Sequence, residues 1–149
     1  MTTPFGGAGA PVVIDLYRYF GGTNDPFTVP NFTTIASGAT MSIQIAEYLD
    51  FSLMPRSAYF EVIWGHTNLA NAGTSYIQLY DQTNATALAT MTTVTTGAIT
   101  DVHSASTEVG FVSFGKPTST AKVIVRMFNG DNTGTRQFFP FRAAIVFFQ

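Results

Sequence analysis

The last thirteen residues, Gln137–Gln149, read QFFPFRAAIVFFQ. Chain termini usually collect polar residues and lose order. Here a two-residue period puts Phe139, Phe141, Ala143, Ile145 and Phe147 on one side of a strand. Ala144, Val146 and Phe148 fall on the other. A strand that is apolar on both faces has to be covered on both, by its own domain or by a neighbouring subunit. The segment predicts a compact β protein whose last strand is locked into a sheet within an assembly.

The rest of the composition is consistent with close contact between copies. The chain has 149 residues, one domain of ordinary size. Its charged fraction is 11%, against the roughly 25% of typical soluble domains. Thr, Ser, Asn, Gln and Gly replace the missing charges, and a net charge of −2 offers little repulsion to hold copies apart. Such a surface faces either neutral, glycan-like material or other subunits. Seven scattered basic residues make no footprint for nucleic acid. Without cysteine, disulfides and thiolate metal sites are excluded. No basic-then-apolar leader pattern appears in the first twenty residues, and no apolar run is long enough to cross a bilayer.

Residues 1–40 read as an extended arm. Pro4, Pro11, Pro26 and Pro30 and several glycines punctuate it, and prolines this frequent disfavour helix. Between the glycine clusters lies an apolar island, Val12 to Phe20, which predicts one strand packed on something. Residues 41–149 form the domain proper. Met41, Ile43, Ile45, Leu49, Phe51 and Leu53 alternate with polar partners and predict one long strand, with a bulge near Glu47. Further strands are predicted at Ala58 to Trp64, Ser75 to Tyr80, Thr86 to Met91, near Val94, Val109 to Phe114 and Ala121 to Phe128. Turns at Asp81–Asn84 and Asn129–Gly134 separate them. Roughly eight strands at this spacing predict an all-β fold, a two-sheet antiparallel sandwich of jelly-roll type.

No chemical constellation emerges. His66 and His103 are the two histidines. Asp101 would share a face with His103, but no serine sits in a glycine-flanked elbow, so both read as loop or surface residues. Glu47 and Glu61 fall in neighbouring predicted strands and could approach as a carboxylate pair; solvent-facing strand positions explain them more simply. Asp81–Asn84 and Asn129–Thr133 offer oxygens, but as turns rather than a calcium loop. The sequons at Asn31 and Asn84 read as chance. Trp64, Tyr76 and Tyr80 are the aromatics that could stack on sugar rings, although Trp64 ends a strand on its apolar side. No catalytic, cofactor-binding or metal-ligating set is assigned, and the chain reads as a non-enzyme.

The phrase Tyr76-Ile-Gln-Leu-Tyr80-Asp-Gln-Thr-Asn84, continued by Ala85–Leu88 and the threonines around Met91–Thr96, resembles a strand-and-turn segment of jelly-roll domains in phage structural proteins and carbohydrate-binding-like modules. The whole chain, with its Gly/Pro-rich arm, single β domain, few charges and no cysteine, resembles a small capsid decoration (cement) protein of a tailed phage. The resemblance implies a virion component on the capsid surface. It also implies a homo-oligomer, a trimer, that stiffens the shell by non-covalent contacts with the major capsid protein or other subunits. Phe5, Val12, Val13, Ile14, Leu16 and Tyr17 are the expected arm contacts, and Phe147 and Phe148 the expected subunit interface. The alternative is a carbohydrate-binding module or a phage tail receptor-binding domain, with Trp64, Tyr76 and Tyr80 as stacking residues.

Overall fold

The computed structural model describes residues 10–18, 33–42, 47–54, 57–66, 74–94, 106–130 and 135–148. Within them the strands are β1 (Val12–Arg18), β2 (Thr33–Ala36), β3 (Thr40–Ser42), β4 (Glu47–Asp50), β5 (Ser57–His66), β6 (Thr74–Asp81), β7 (Thr86–Val94), β8 (Ser106–Phe114), β9 (Thr120–Phe128) and β10 (Thr135–Phe148). The only helical element among the described residues is a 3-10 turn at Phe51–Leu53. All pairing is antiparallel. One sheet runs β1-β10-β5-β8, with β2 beside β1 along the same edge of β10. The other runs β3-β9-β6-β7, with β4 beside β3 along β9.

The order follows a simple rule. Taking β1 with β2 and β3 with β4 as interrupted single strands, the first pairs with the last, the second with the next to last, β5 with β8, and β6 with β7. A long hairpin wound up on itself pairs its strands this way, and that winding is the jelly roll. The all-β sandwich expected from the sequence is therefore the fold observed.

Alternation builds the core between the sheets. Phe60, Val62 and Trp64 of β5, and Ile145 and Phe147 of β10, are fully buried. They meet Ile77 and Leu79 of β6 and Val123, Val125 and Met127 of β9, also fully buried, in one cluster. The alternate, outer-face positions of β9 hold Lys122 and Arg126, both half-buried, with the buried Ile124 between them.

The structure departs from the sequence reading at three places. The long strand expected from Met41 to Leu53 is divided into β3, β4 and the 3-10 turn, with residues 43–46 outside the described set. The Asp50 carboxylate accepts from the Ser52 amide (3.0 Å) and hydroxyl (2.6 Å). This local bond competes with the strand ladder and curls the chain. Phe51 is consequently buried, whereas Leu53 is 84% exposed, although alternation had placed them together. The segments expected at Thr86–Met91 and near Val94 are one strand, β7. In β10 the register with β5 shifts between Pro140 and Arg142. Proline has no amide hydrogen for the ladder and is tolerated in a central strand at such a shift, so the period read from Phe139 to Phe147 is not continuous.

The β6–β7 connection is held by Asp81, which is buried. Its carboxylate accepts from the Thr83 amide (2.8 Å), the Asn84 amide (3.1 Å) and the Asn84 side-chain nitrogen (2.7 Å). The Asp81 carboxylate, one of the groups that sequence offered to calcium, is thus engaged in closing the turn. Asp81→Ala is expected to cost about 1–2 kcal/mol, because the freed amides can return to water while the cap is lost. A urea titration measures it; an unchanged midpoint would contradict this role.

Candidate interaction surface

The outer face of the sheet containing β10 is built by register. Across it Val13 of β1 stands opposite Val146 of β10, Val146 opposite Tyr59 of β5, and Tyr59 opposite Ser113 of β8. Phe148 and Phe111 lie diagonal to Tyr59, within reach of large side chains. The three rings form a cluster: Tyr59 stacks on Phe111 (centroids 4.6 Å, 10°), and Phe148 meets both edge-on at 5.3 and 6.2 Å. Beneath them Val146 is buried, yet Phe111, Val13 and Phe148 remain 50%, 44% and 42% exposed. A depression of about 340 Å³ adjoins the cluster, lined by Ser57, Ala58, Tyr59, Ser113, Phe114 and Gly115.

The next row is charged. Ala144 stands between Asp15 and Glu61, and Arg142 bridges both acids, with Nε to Asp15 at 3.2 Å and Nη1 to Glu61 at 2.8 Å. Ala144 is fully buried in this row. The question posed by a strand apolar on both sides is answered within the chain: ions bracket Ala144 and rings cover Val146. What stays uncovered is the top of the aromatic cluster.

The expected contact residues divide between core and surface. Val12 and Val13 of β1 are exposed, Ile14 is half-buried against the core, and Leu16, where the register with β10 shifts, is buried. Tyr17 pairs with Ala143, and Phe5 lies outside the described residues. Phe148 is on the surface. Phe147 is not: it is fully buried and packs edge-on against Phe51 at 6.5 Å, so its ring faces the partner sheet and not a partner subunit.

The sugar-stacking set does not come together. Trp64 is fully buried between the sheets and presents no face to a ligand. Tyr76 and Tyr80 lie on the outer face of the other sheet, each with one ring face covered. Tyr76 stacks on Phe128 at 4.8 Å, and the Arg126 guanidinium sits 3.5 Å from the Tyr80 centroid while its Nε donates to Gln78. Glu47 and Glu61 belong to opposite sheets, so they are not the neighbouring pair that linear strand order suggested. Asp101 and His103 lie outside the described residues, as does the side chain of His66. Tyr59, Phe111 and Arg142 were not singled out from sequence. Each sits at an outward strand position, and only the pairing of β1, β10, β5 and β8 shows that they adjoin.

No protein-family model and no curated protein matches the chain. Solved structures with a similar course include the infectious bursal disease virus Gx strain, at 10% identity and a TM-score of 0.46, covering 94% of this chain and 34% of that one. A mutant VP2 protein of infectious bursal disease virus in derived T=1 particles gives 10% identity and 0.47, over 92% and 31%. An arabinose-bound α-L-arabinofuranosidase gives 10% and 0.44, over 97% and 24%. The chain spans about a third or less of the length of each.

Proposed function

We propose that the chain is a virion structural protein, a non-enzymatic subunit that reinforces a shell through non-covalent contacts. The observation that supports this most is the uncovered aromatic cluster Tyr59–Phe111–Phe148 on a sheet face of a charge-poor chain. Apolar patches of this kind mark contact surfaces, and burying one contributes about 25 cal/mol per Å². The winding of the sheets is that of viral capsid and lectin domains. With Trp64 buried and both tyrosine rings half-covered, the sugar-binding alternative has less to act with. The finer reading is a decoration protein on the capsid surface of a tailed phage, working as a trimer. Light scattering after size exclusion is expected to give the mass of three 16.1 kDa chains. Mass spectrometry of purified particles from the source is expected to find the chain at structural copy number. Its absence from particles would overturn the virion role.

A further inference from the structure

Asn129–Gly130 is the one place in the chain where an asparagine precedes a glycine. Packing demands both residues. The Asn129 side-chain nitrogen donates to the Ile35 carbonyl of β2 at 2.8 Å, and at Gly130 even a Cβ would strike the Thr74 carbonyl. Asparagine is a thermolabile residue, and a following glycine makes it more so, because no side chain crowds the glycine's amide nitrogen. In an open chain the Gly130 nitrogen attacks Cγ of the Asn129 side chain. The N–Cγ bond forms, the Cγ–Nδ2 bond breaks, and ammonia leaves with the proton of the Gly130 amide. Water then opens the succinimide ring at either carbonyl, which leaves aspartate or isoaspartate at position 129.

We infer that Asn129–Gly130 is a modification site guarded by the fold, intact while the junction between the sheets is closed and converted when it opens, after which the junction does not re-form. Three observations make the guard. Asn129 is fully buried, so the water that the reaction consumes is kept out. Its backbone is fixed on both sides, the amide donating to the Ala39 carbonyl at 3.1 Å and the carbonyl accepting from the Gly38 amide at 2.8 Å. Bringing Cγ onto the Gly130 nitrogen therefore means breaking the bond to Ile35. The attacking nitrogen is itself engaged, since it donates to the hydroxyl of Ser75, also fully buried, at 3.2 Å. Either product defeats re-closure. Aspartate sets a charged acceptor against the Ile35 carbonyl, another acceptor, in a site without water. Isoaspartate lengthens the main chain by one methylene where the Thr74 carbonyl leaves no room for a Cβ. The contact that would be lost ties β2 of one sheet to β6 and the end of β9 in the other. Asn84 shows the contrast: it is exposed, but Ala85 follows it and its Cβ crowds the amide nitrogen.

Peptide mapping for aspartate and isoaspartate at residue 129 tests this on the whole chain, held in mildly alkaline buffer with and without concentrated urea. A reaction that needs the open form runs in proportion to the population of that form. Unfolded chains are expected to convert at least about a hundredfold faster than native ones; equal rates would overturn the guard. Ser75→Ala removes the acceptor of the Gly130 amide and is expected to raise the native rate roughly tenfold. An unchanged rate in a folded variant would overturn the part given to that bond. If Ser75→Ala does not fold, wild-type protein in urea below its unfolding midpoint replaces it: conversion is expected to rise with urea there, and a flat rate equal to that of unfolded chains would overturn the inference. Asn129→Asp reproduces one product, and the Gly38 and Gly130 amides in it are expected to lose their protection from hydrogen exchange. Protection kept at both would overturn the one-way step. Every readout is taken on the purified chain, so the inference stands or falls apart from the virion role.

Discussion

Phe147→Ala is expected to destabilise the fold by about 3–5 kcal/mol, the range for deleting a fully buried phenyl ring. The same change one residue later, Phe148→Ala, is expected to cost less than about 1 kcal/mol. The two side chains are neighbours in sequence and point to opposite faces of β10. Phe147 is fully buried, pairs across strands with Val12 and Ala58, and packs on Phe51 of the 3-10 turn. Its loss opens a cavity where both sheets meet, and β strands held by ladder bonds on either side cannot collapse into it. Phe148 is 42% exposed and rests on Tyr59 and Phe111; water replaces it at little cost. Guanidinium unfolding of both variants measures the difference. Equal losses would mean that the face above Tyr59 is part of the core, and would remove the case for an interface there. Should the outer cluster serve assembly, Phe148→Ala shows itself in the oligomer's mass and not in the monomer's stability.

The contrast also shows what a linear reading can reach. Period-two alternation located β5, β6 and β9 and their inward residues, because one face of each meets a core and the other is wet. The count of strands and turns was enough for a sandwich. Which strands adjoin was not legible, since pairing in a jelly roll joins residues far apart in the chain. For that reason Phe147 and Phe148 were grouped as one interface, and Glu47 and Glu61 as neighbours. Local polar chemistry was the second blind spot. Asp50 in Met41–Leu53 interrupts no pattern, yet its bonds to Ser52 end the strand and set Leu53 outward. Arg142 is a single charge in the apolar run Phe138–Phe148. Register alone gives it two carboxylates and makes it part of the surface row beside the aromatic cluster.

Gly130→Ala is expected to cost about 3 kcal/mol, at the upper end for inserting a methyl group into packed surroundings. A Cβ at Gly130 would meet the backbone carbonyl of Thr74, with the Phe128 ring at 3.2 Å as its next neighbour. Backbone at the start of β6 cannot swing away as a side chain does. The position also closes a junction between the two sheets. Gly130 donates its amide to the buried Ser75 hydroxyl at 3.2 Å. The preceding Asn129 donates its side-chain nitrogen to the Ile35 carbonyl of β2 at 2.8 Å, while its own carbonyl accepts from Gly38, which turns the chain at φ 71°. Pushing Gly130 outward strains each of these bonds at once. Gly110→Ala is the control: its Cβ would also fall too close to a neighbour, but that neighbour is the thioether of Met91. A methionine end can take another rotamer, so the expected cost is below about 1 kcal/mol. Thermal unfolding of the two variants side by side decides whether backbone approach, rather than crowding as such, fixes where β9 leaves its sheet. Comparable losses would show that Met91 is held as firmly as the Thr74 carbonyl and that the junction has no special rigidity.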